Sequence, residues 1–460
     1  QRAAARKAWS GSGDMATEKV WFELQERLGG TEFLGYDTEH AEGQILAILK
    51  DGEEVKSATV SDQVMIITNQ TPFYGESGGQ QGDHGLLFSA EGIEVVIRDT
   101  QKKLGTVFVH IGEVVKGEIT PGLALEMKVD VTRRTAIRAH HSATHLLHEA
   151  LRRQLGKHVT QKGSLVAKER LRFDVSHPKP LEPKDISVVE TEVNEHIRKN
   201  AEVITRIMTP DEAIKEGAMA LFGEKYGEEV RVVSMGGADS STGSGYYSTE
   251  LCGGTHVRRT GDIGFFKIVS EAALASGVRR IEAVTGQAAL EYVSTQESQL
   301  SSAAAAMKAS PAELEGRVSA LLEERKRLER ELTDARRKLA AGGGSSSSGS
   351  EFKDVNGIKF APRILEDVLP KDLKPTADEL KKQIESGVIV LIANTDGKAS
   401  IVVAVTDDLT DKISAVDLVR AGSAALGGKG GGGRPDMAQA GGPDATKAPE
   451  AIAAIEALLS

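Results

Sequence analysis

Four side chains with the chemistry of zinc ligands stand in two pairs along the sequence. The first pair, His141 and His145, lies in a stretch whose apolar residues recur at helical spacing. Both imidazoles therefore project from one helix face and can reach the same ion. The second pair, Cys252 and His256, belongs to the run CGGTH, in which two glycines permit a tight turn. Three imidazoles and one thiolate make a complete tetrahedral set, which favours zinc over magnesium or calcium.

The alternative interpretation is a buried thiol beside hydrogen-bonded histidines. With 11 histidines in the chain, the first pair could arise by chance, but the single cysteine with a histidine four residues on is a more specific pattern. The neighbouring His140 and His148 are interpreted as packing or supporting residues rather than ligands. A single cysteine excludes an intramolecular disulfide and is typical of a reducing compartment.

The composition is that of a multidomain globular protein. The chain has 460 residues, of which 40% are hydrophobic and 27% charged, and roughly two to four domains are expected at this length. A net charge of −10 argues against non-specific binding to nucleic acid, although local basic patches remain compatible with it. No apolar run approaches the roughly 20 residues that cross a bilayer, and the basic start lacks the apolar stretch of a signal peptide. We therefore expect a cytoplasmic location and no membrane partner.

The elements that must position the four side chains follow from changes in pattern. Short β-rich runs alternate with Gly and Asp turns up to residue 131, which indicates a small barrel, and mixed helices and strands follow. The predicted fold class is α+β and multidomain. The expected domains are a helical segment (1–28), a small β-barrel (29–135), a zinc-binding α+β domain (136–292), a helical coiled-coil arm (293–341), a Gly/Ser linker (342–350) and a C-terminal α/β domain (351–460).

The coiled-coil arm is predicted from a heptad pattern. Its seam positions step by four and three: Leu314, Val318, Leu321, Arg325, Leu328, Leu332, Ala335 and Leu339. Pairing with another chain and an internal antiparallel hairpin both satisfy this pattern. A homodimer through the C-terminal region is a separate expectation. No function is drawn from the Gly/Ser linker.

Several ordered motifs resemble alanyl-tRNA synthetases. The runs HSATH (141–145), QKGSL (161–165), LRFD (171–174) and CGGTH (252–256) resemble the editing domain of that family. Upstream, TPFY (71–74) and SGGQ (77–80) resemble its barrel half, and GKGGGGRPDMAQAGG (428–442) resembles its C-terminal tRNA-contacting domain. The resemblance covers nearly the whole chain. It implies that 1–28 is a helical remnant of the tRNA-recognition region, that 29–135 and 136–292 are the barrel half and the zinc-binding half of the editing domain, and that 351–460 binds tRNA and forms oligomers. A class II aminoacylation core is not recognised in it, so ATP and alanine are expected as partners of a longer parent protein only.

The resemblance implies an editing activity. Its reaction is hydrolysis of the ester that joins serine or glycine to the 3′ end of tRNA(Ala), with Zn2+ on the four ligands. The need is physical, because a pocket for the methyl group of alanine rejects glycine or serine only modestly. Four protein ligands leave no open position for water, which favours an organising role for zinc. Expansion to five ligands, with zinc as a Lewis acid, is the alternative.

Other site residues are implied by the same motifs. Thr71 and Gln161 are candidates for reading the substrate, with Gly253 and Gly254 in the pocket. Without the resemblance, Thr71 would be a turn residue before a proline and Gln161 a surface polar group. Candidates for contact with tRNA phosphates are Lys162, Arg172, Lys429 and Arg434, although isolated basic residues usually belong to the solvated surface. The Gly-rich segment 427–442 does not fit the P-loop pattern, yet its backbone N–H groups could hold an anion.

Two other functions compete with editing. A non-enzymatic RNA-binding fragment would keep a structural zinc and show no turnover. A phosphoesterase is suggested by the C-terminal Gly-rich segment, but the paired aspartates typical of those metal centres are missing. Residues 237–247 interrupt the family pattern before the cysteine motif, and we expect a surface loop there.

Overall fold

The computed structural model describes residues 12–219, 227–239, 244–342, 352–366, 368–395 and 397–460. They divide into two compact units, Gln1–Gln299 and Leu300–Ser460. The helices that begin in the first unit are α1 Ser12–Leu28, α2 Val131–Leu155, α3 Pro183–Arg198, α4 Pro210–Lys215 and α5 Gly286–Ala306.

A closed barrel of six antiparallel strands forms the first part of this unit. Its strands pair in the order β11-β7-β8-β9-β5-β2, and β11 pairs again with β2 to close the ring. Alternate side chains such as Ile45, Ile66 and Leu87 fill the interior, because successive residues of a strand face opposite sides. The small barrel predicted from the sequence is confirmed. The strands here are β1 Glu32–Phe33, β2 His40–Lys50, β3 Glu53–Val55, β4 Ala58–Thr59, β5 Gln63–Thr68, β6 Gln70–Thr71, β7 Gly85–Phe88, β8 Glu94–Lys103, β9 Val107–Lys116, β10 Glu118–Ile119 and β11 Ala124–Val129.

Helix α2 begins where the last barrel strand ends. Asp130 caps it by accepting a hydrogen bond from the backbone N–H of Arg133 at 3.0 Å. The helix packs in one core with α3 and with strands of two antiparallel sheets, ordered β12-β13-β18-β17 and β14-β15-β16. This is the α+β layout expected from the sequence. The strands are β12 Gln161–Val166, β13 Leu171–Ser176, β14 Ile204–Met208, β15 Val230–Ala238, β16 Tyr246–Leu251, β17 Phe266–Ala275 and β18 Val278–Thr285.

One buried ion pair ties the barrel to helix α2. The Arg134 guanidinium and the Asp83 carboxylate are both 0% exposed and form a direct salt bridge. Arg134 also donates to the carbonyl oxygens of Gly35 (2.8 Å) and Pro72 (2.7 Å), while Asp83 accepts from the backbone N–H of Tyr74 (2.6 Å). Because these partners satisfy both charges, the pair can remain buried.

The second unit is a mixed six-stranded sheet with helices on both faces. Its strands run in the order β19-β20-β21-β22-β24-β23, and only β20 and β21 pair in parallel. This matches the α/β character predicted for the C-terminal region. The loop predicted over 427–442 is wrong for most of its length, because Gly431–Arg434 and Met437–Gly442 pair as antiparallel strands. The elements are α6 Leu314–Gly342, β19 Lys353–Val355, β20 Ile358–Glu366, α7 Pro370–Gln383, β21 Gly387–Thr395, β22 Lys398–Val405, α8 Ala415–Ala425, β23 Gly431–Arg434, β24 Met437–Gly442 and α9 Ala448–Ala457.

Helix α6 carries the predicted heptad seam. Within the described residues Leu321, Leu328 and Leu332 are each about half exposed, at 53%, 50% and 52%. The coiled-coil pairing therefore stays a prediction. Parts of other predicted segments fall outside the described residues: positions 1–11 of the helical remnant, 240–243 of the expected loop, 343–350 of the linker and the side chain of Leu339. Among the described helices, none combines the length and apolar character needed to span a membrane.

Candidate metal centre

The structure brings the four predicted ligands together in the first unit. One donor atom from each of His141, His145, Cys252 and His256 lies within 4.8 Å of the other three. The Cys252 Sγ is 3.4 Å from His141 Nε2 and 3.3 Å from His256 Nε2. A zinc ion at its usual bond lengths would separate tetrahedral sulfur and nitrogen ligands by about 3.5 Å. The spacing of these donors therefore fits zinc.

Two elements position the ligands. His141 and His145 lie on one face of α2, whereas Cys252 follows the end of strand β16 and His256 the turn after it. The turn passes so close to α2 that a Cβ on Gly254 would clash with the His141 ring and lie 2.8 Å from Gln80 Oε1. Glycine at this position lets the cysteine loop approach the helix, which the sequence suggested only as a tight turn.

A glutamine from the barrel half determines which nitrogen of His141 faces the other ligands. The Gln80 Oε1 accepts from the backbone N–H of Thr255 at 2.9 Å, so this atom must be the amide oxygen. The same oxygen is 2.8 Å from His141 Nδ1, which must therefore carry the proton and donate. The His141 Nε2 is left with its lone pair directed at Cys252, as a metal ligand requires.

The other two imidazoles are held in the same way. His256 Nδ1 lies within hydrogen-bond distance of Ser142 Oγ, at 3.1 Å, and His145 Nδ1 donates to Glu250 Oε2 at 3.0 Å. The Nε2 of His145 is buried and has no hydrogen-bond partner among the described residues. Buried nitrogens are rarely left unpaired, so an ion bound here explains the orphaned atom. All three outer nitrogens are supported by protein groups, which is the usual arrangement around metal-bound histidines.

The electrostatics of the cluster favour a thiolate. Burial alone would raise the pKa of the Cys252 thiol, but His141 and His256 outweigh burial and hold that pKa well below its ordinary value. Burial also opposes ionisation of Glu250, yet His145 and His148 keep the pKa of its carboxyl low. The site therefore contains a half-buried thiolate and a buried carboxylate among histidines. A divalent cation would neutralise both, since it binds the deprotonated thiol directly.

Arg231 and Tyr36 hold the backbone of the cysteine loop. The Arg231 guanidinium donates to the carbonyl oxygens of Cys252 (3.1 Å) and Gly254 (2.9 Å) and stacks 4.2 Å above the Tyr36 ring. The Tyr36 hydroxyl donates to the Gly253 carbonyl at 2.6 Å. These bonds leave the loop few alternative conformations, so the Cys252 thiolate is oriented towards the three histidines before a metal binds.

A small cavity of about 40 Å³ adjoins the four ligands. Gln161, a predicted substrate residue, lines it from the start of β12. His141, His145 and Cys252 form part of its wall, and the remaining wall consists of Gly78, Thr144, His148, Ser164, Phe173, Glu250 and Leu251. The cavity combines three of the four clustered donor side chains with hydrogen-bonding side chains, so it offers polar groups to a small ligand.

Comparisons with known proteins agree with these motifs. Residues 1–133 match the family model described as tRNA synthetases class II (A), residues 230–282 the Threonyl and Alanyl tRNA synthetase second additional domain, and residues 357–460 the DHHA1 domain. The alanine–tRNA ligase of Rhizorhabdus wittichii is 57% identical over 100% of this chain, and that of Parvibaculum lavamentivorans is 60% identical over 99%. The chain belongs to the alanine–tRNA ligase family.

The chain spans about half the length of these relatives, 52% in both cases. The class II family model extends to residue 133. It therefore covers the segment that the motifs assigned to the barrel half of an editing domain, so the class II match reaches further into the chain than expected. Among solved structures, the C-Ala domain of Aquifex aeolicus alanyl-tRNA synthetase is 31% identical, with 24% of this chain and 96% of that chain covered and a TM-score of 0.23.

The remaining predicted pocket residues, Thr71, Gly253 and Gly254, differ from one another in burial and in contacts. Thr71 is fully buried and is not among the residues that line the small cavity. Its hydroxyl donates to His110 Nε2 at 2.7 Å and accepts from the backbone N–H of Phe73 at 3.0 Å. Burial lowers the pKa of His110 to about 4, so this imidazole is neutral and can accept. Gly253 is exposed, whereas Gly254 is buried against His141.

The predicted tRNA contacts are at the surface. Lys162, Lys429 and Arg434 are exposed, and the Arg434 guanidinium lies 3.1 Å from the Asp436 carboxylate. Arg172 is half-buried, 3.8 Å from the carboxylate of Asp174. Exposure makes three of these cations accessible to phosphate, and nothing further about tRNA follows from their geometry.

Sequence reasoning missed the side chains that support the ligands. Ser142 directly follows His141, inside the HSATH motif. Glu250 lies on β16, two residues before the CGGTH motif begins at Cys252. Gln80 was quoted only as part of a Gly-rich run. A polar residue next to a predicted ligand is a usable signal for a supporting role, but pairing Gln80 with His141 requires the tertiary structure.

Proposed function

We propose that this chain carries an aminoacyl-tRNA deacylase site of the editing type, which hydrolyses mischarged seryl- or glycyl-tRNA(Ala). The observation that carries the proposal is the convergence of three supported imidazoles and one thiolate beside a cavity of about 40 Å³. A cavity of this size suits a small side chain such as that of serine or glycine. Membership of the alanine–tRNA ligase family supplies the substrate class.

Within this proposal the ligands His141, His145, Cys252 and His256 hold Zn2+. The bound ion would supply positive charge that organises the pocket and the tRNA terminus. Gln161 and Ser164 offer hydrogen bonds to the hydroxyl of a misattached serine, and such bonds discriminate against side chains that lack one. Gly254 keeps His141 in place, and the carbonyl of Gly253 is held by Tyr36. Thr71 stays a candidate substrate residue, although its hydroxyl already serves His110 and Phe73.

The rest of the tRNA must be bound outside the pocket that holds its aminoacylated end. We propose that the basic side chains of Lys162, Arg172, Lys429 and Arg434 contact the phosphates of tRNA(Ala). In a longer parent alanine–tRNA ligase, ATP and alanine would be the substrates of aminoacylation. A cytoplasmic location and a homodimer through the C-terminal region remain predictions.

One observation favours a second candidate, a non-catalytic tRNA-binding segment with a structural zinc. Four protein ligands complete a tetrahedron, and closed sites of this kind are usually structural. The deacylase would turn over mischarged tRNA, whereas the non-catalytic segment would not. Under the second candidate no substrate would bind in the cavity beside the ligands.

Deacylation of seryl-tRNA(Ala) separates these candidates. The chain should release serine, and Cys252→Ala should lose at least about 100-fold in rate, because the disrupted ligand set no longer shapes the pocket. Elemental analysis should find about one zinc per chain in the unmodified protein and much less in the variant. Equal and low rates in both proteins would exclude the deacylase, and zinc retained after both His141→Ala and Cys252→Ala would exclude the proposed ligand set.

A further inference from the structure

His148 is a buried imidazole with one nitrogen unaccounted for. It lies on α2, on the same face as His145, and its side chain is 4% exposed. Its Nδ1 is 3.1 Å from Glu250 Oε1, whereas its Nε2 is buried without a hydrogen-bond partner among the described residues. His148 is not one of the four clustered ligands. Buried polar nitrogens are rarely left without a partner, so a partner for this atom is expected.

The hydrogen bond to Glu250 determines what His148 Nε2 can do. A carboxylate accepts only, so the proton of the imidazole must lie on Nδ1. In the neutral imidazole the lone pair is therefore on Nε2. Phe173 packs edge-on against the ring, with the ring centres 5.2 Å apart, and limits its rotation. The lone pair is thus held in one orientation.

A second histidine on the same helix shows that burial alone does not leave a nitrogen unpaired. The Nδ1 of His140 donates to the Ala167 carbonyl at 2.9 Å, and its Nε2 accepts from the backbone N–H of Thr285 at 3.1 Å. His140 is fully explained by packing. His148 differs from it in having one bonded nitrogen and one that the protein leaves free.

The free nitrogen belongs to a residue that lines the small cavity beside the ligands. That cavity, of about 40 Å³, exceeds the roughly 10–15 Å³ that one water molecule needs. Gln161 and Ser164 also line it, so a water molecule there would find the two to four polar partners that buried water requires. The closed ligand set provides no open metal position for that water. The water used in hydrolysis then needs a protein group, in place of the metal, to accept its hydrogen bond.

We infer that His148 is a further catalytic residue, whose Nε2 accepts a hydrogen bond from the water molecule that attacks the ester. This inference rests on the proposed deacylase function. The water oxygen bonds to the ester carbonyl carbon, and the bond from that carbon to the ribose oxygen breaks. One water proton passes to Nε2 and from there to the ribose oxygen, so the imidazole is regenerated. Glu250 positions the ring throughout by accepting from Nδ1.

Two substitutions test the roles of the two ring nitrogens of His148 separately. Asparagine is shorter and places its amide N–H near the position of Nδ1, so His148→Asn keeps a donor for Glu250 but has no atom at Nε2. Glutamine is longer, and its amide oxygen can occupy the position of Nε2 as an acceptor. His40→Asn, on the exposed surface of the barrel, is the matched control.

The rate of serine release from seryl-tRNA(Ala) is measured for the full chain and its variants. His148→Asn should keep about one zinc per chain and a normal unfolding midpoint, yet lower kcat by about 100-fold or more with KM unchanged. His148→Gln should stay about as slow as His148→Asn, because its amide oxygen can accept a hydrogen bond from water but cannot take the water proton. His40→Asn should match the unmodified chain. Nitrogen-15 NMR of the imidazoles should show His148 as the Nδ1–H tautomer, identified by the signal that His148→Asn removes.

Three outcomes would overturn the inference while leaving the deacylase proposal intact. His148→Asn could retain full kcat, it could lose zinc in proportion to activity, or it could raise KM instead of lowering kcat. An Nε2–H tautomer in the NMR spectrum would overturn it as well. A parent chain that releases no serine at all would instead refute the proposed function itself.

Discussion

The missing side chain at Gly254 allows His141 to reach the other ligands. The His141 ring occupies the space that a Cβ on Gly254 would take, and Gln80 Oε1 closes the same space from the barrel side. The ring can move only by losing its hydrogen bond to Gln80 or its contact with Cys252. Gly253, its neighbour in the chain, has open space around it. Two adjacent glycines in one motif therefore have different roles.

We predict that Gly254→Ala lowers zinc affinity by roughly 10- to 100-fold, the range typical of lost support around a metal ligand. The physical reason is displacement of His141 by the new methyl group. Competition with a chromogenic chelator measures the affinity directly. Gly253→Ala is the matched control and should bind zinc as the unmodified chain does. Equal affinities for the two variants would contradict the role assigned to Gly254.

At the scale of elements, helix α2 joins the two halves of the site. It leaves the barrel at Asp130, carries Arg134 as its fourth residue and presents His141 and His145 further along. The Asp83 partner of Arg134 lies three residues beyond Gln80, which bonds to His141. The buried ion pair thus links the barrel segment that supports a ligand to the helix that carries it.

We predict that Arg134→Met lowers the free energy of unfolding of the chain by about 3–5 kcal/mol, because Asp83 would keep a buried charge without its partner. Urea unfolding of the zinc-free protein is the measurement. The control is Arg27→Met, since Arg27 pairs with Glu54 at 2.7 Å on the surface and is 54% exposed. An exposed pair of this kind contributes at most about 1 kcal/mol. Similar losses in both variants would argue against the special role of the buried pair.

At the scale of the whole molecule, helix α6 presents an apolar face that the described residues leave half exposed. The face consists of heptad positions, including Leu321, Leu328 and Leu332. Exposed leucines repeated at this spacing are typical of a helix that pairs with another helix. The arrangement is compatible with the coiled-coil pairing predicted from the heptad.

We predict that Leu328→Lys shifts the chain from dimer to monomer in sedimentation equilibrium, because a charge in the seam would be buried on pairing. Leu322→Lys is the matched control: Leu322 is 51% exposed, close to the 50% of Leu328, but lies outside the seam. It should leave the dimer largely intact. A monomeric unmodified chain, or equal effects of both substitutions, would exclude pairing through this seam.

The sequence by itself determined the features that depend on local spacing. Histidines at i and i+4, a cysteine and histidine around two glycines, and alternating apolar strands all express their geometry within a few residues. The four clustered ligands and the barrel were therefore predictable. The family motifs added Gln161, which the structure does bring to the cavity.

Only the tertiary structure decided which distant side chains meet. Gln80 reaches His141 across 61 residues, and Glu250 reaches His148 across 102. The hydroxyl of Thr71 bonds to His110, a partner that no motif indicated. These pairings depend on how the barrel, helix α2 and strand β16 pack against one another. Packing is set by the shapes of many side chains at once, so it leaves no short pattern in the sequence.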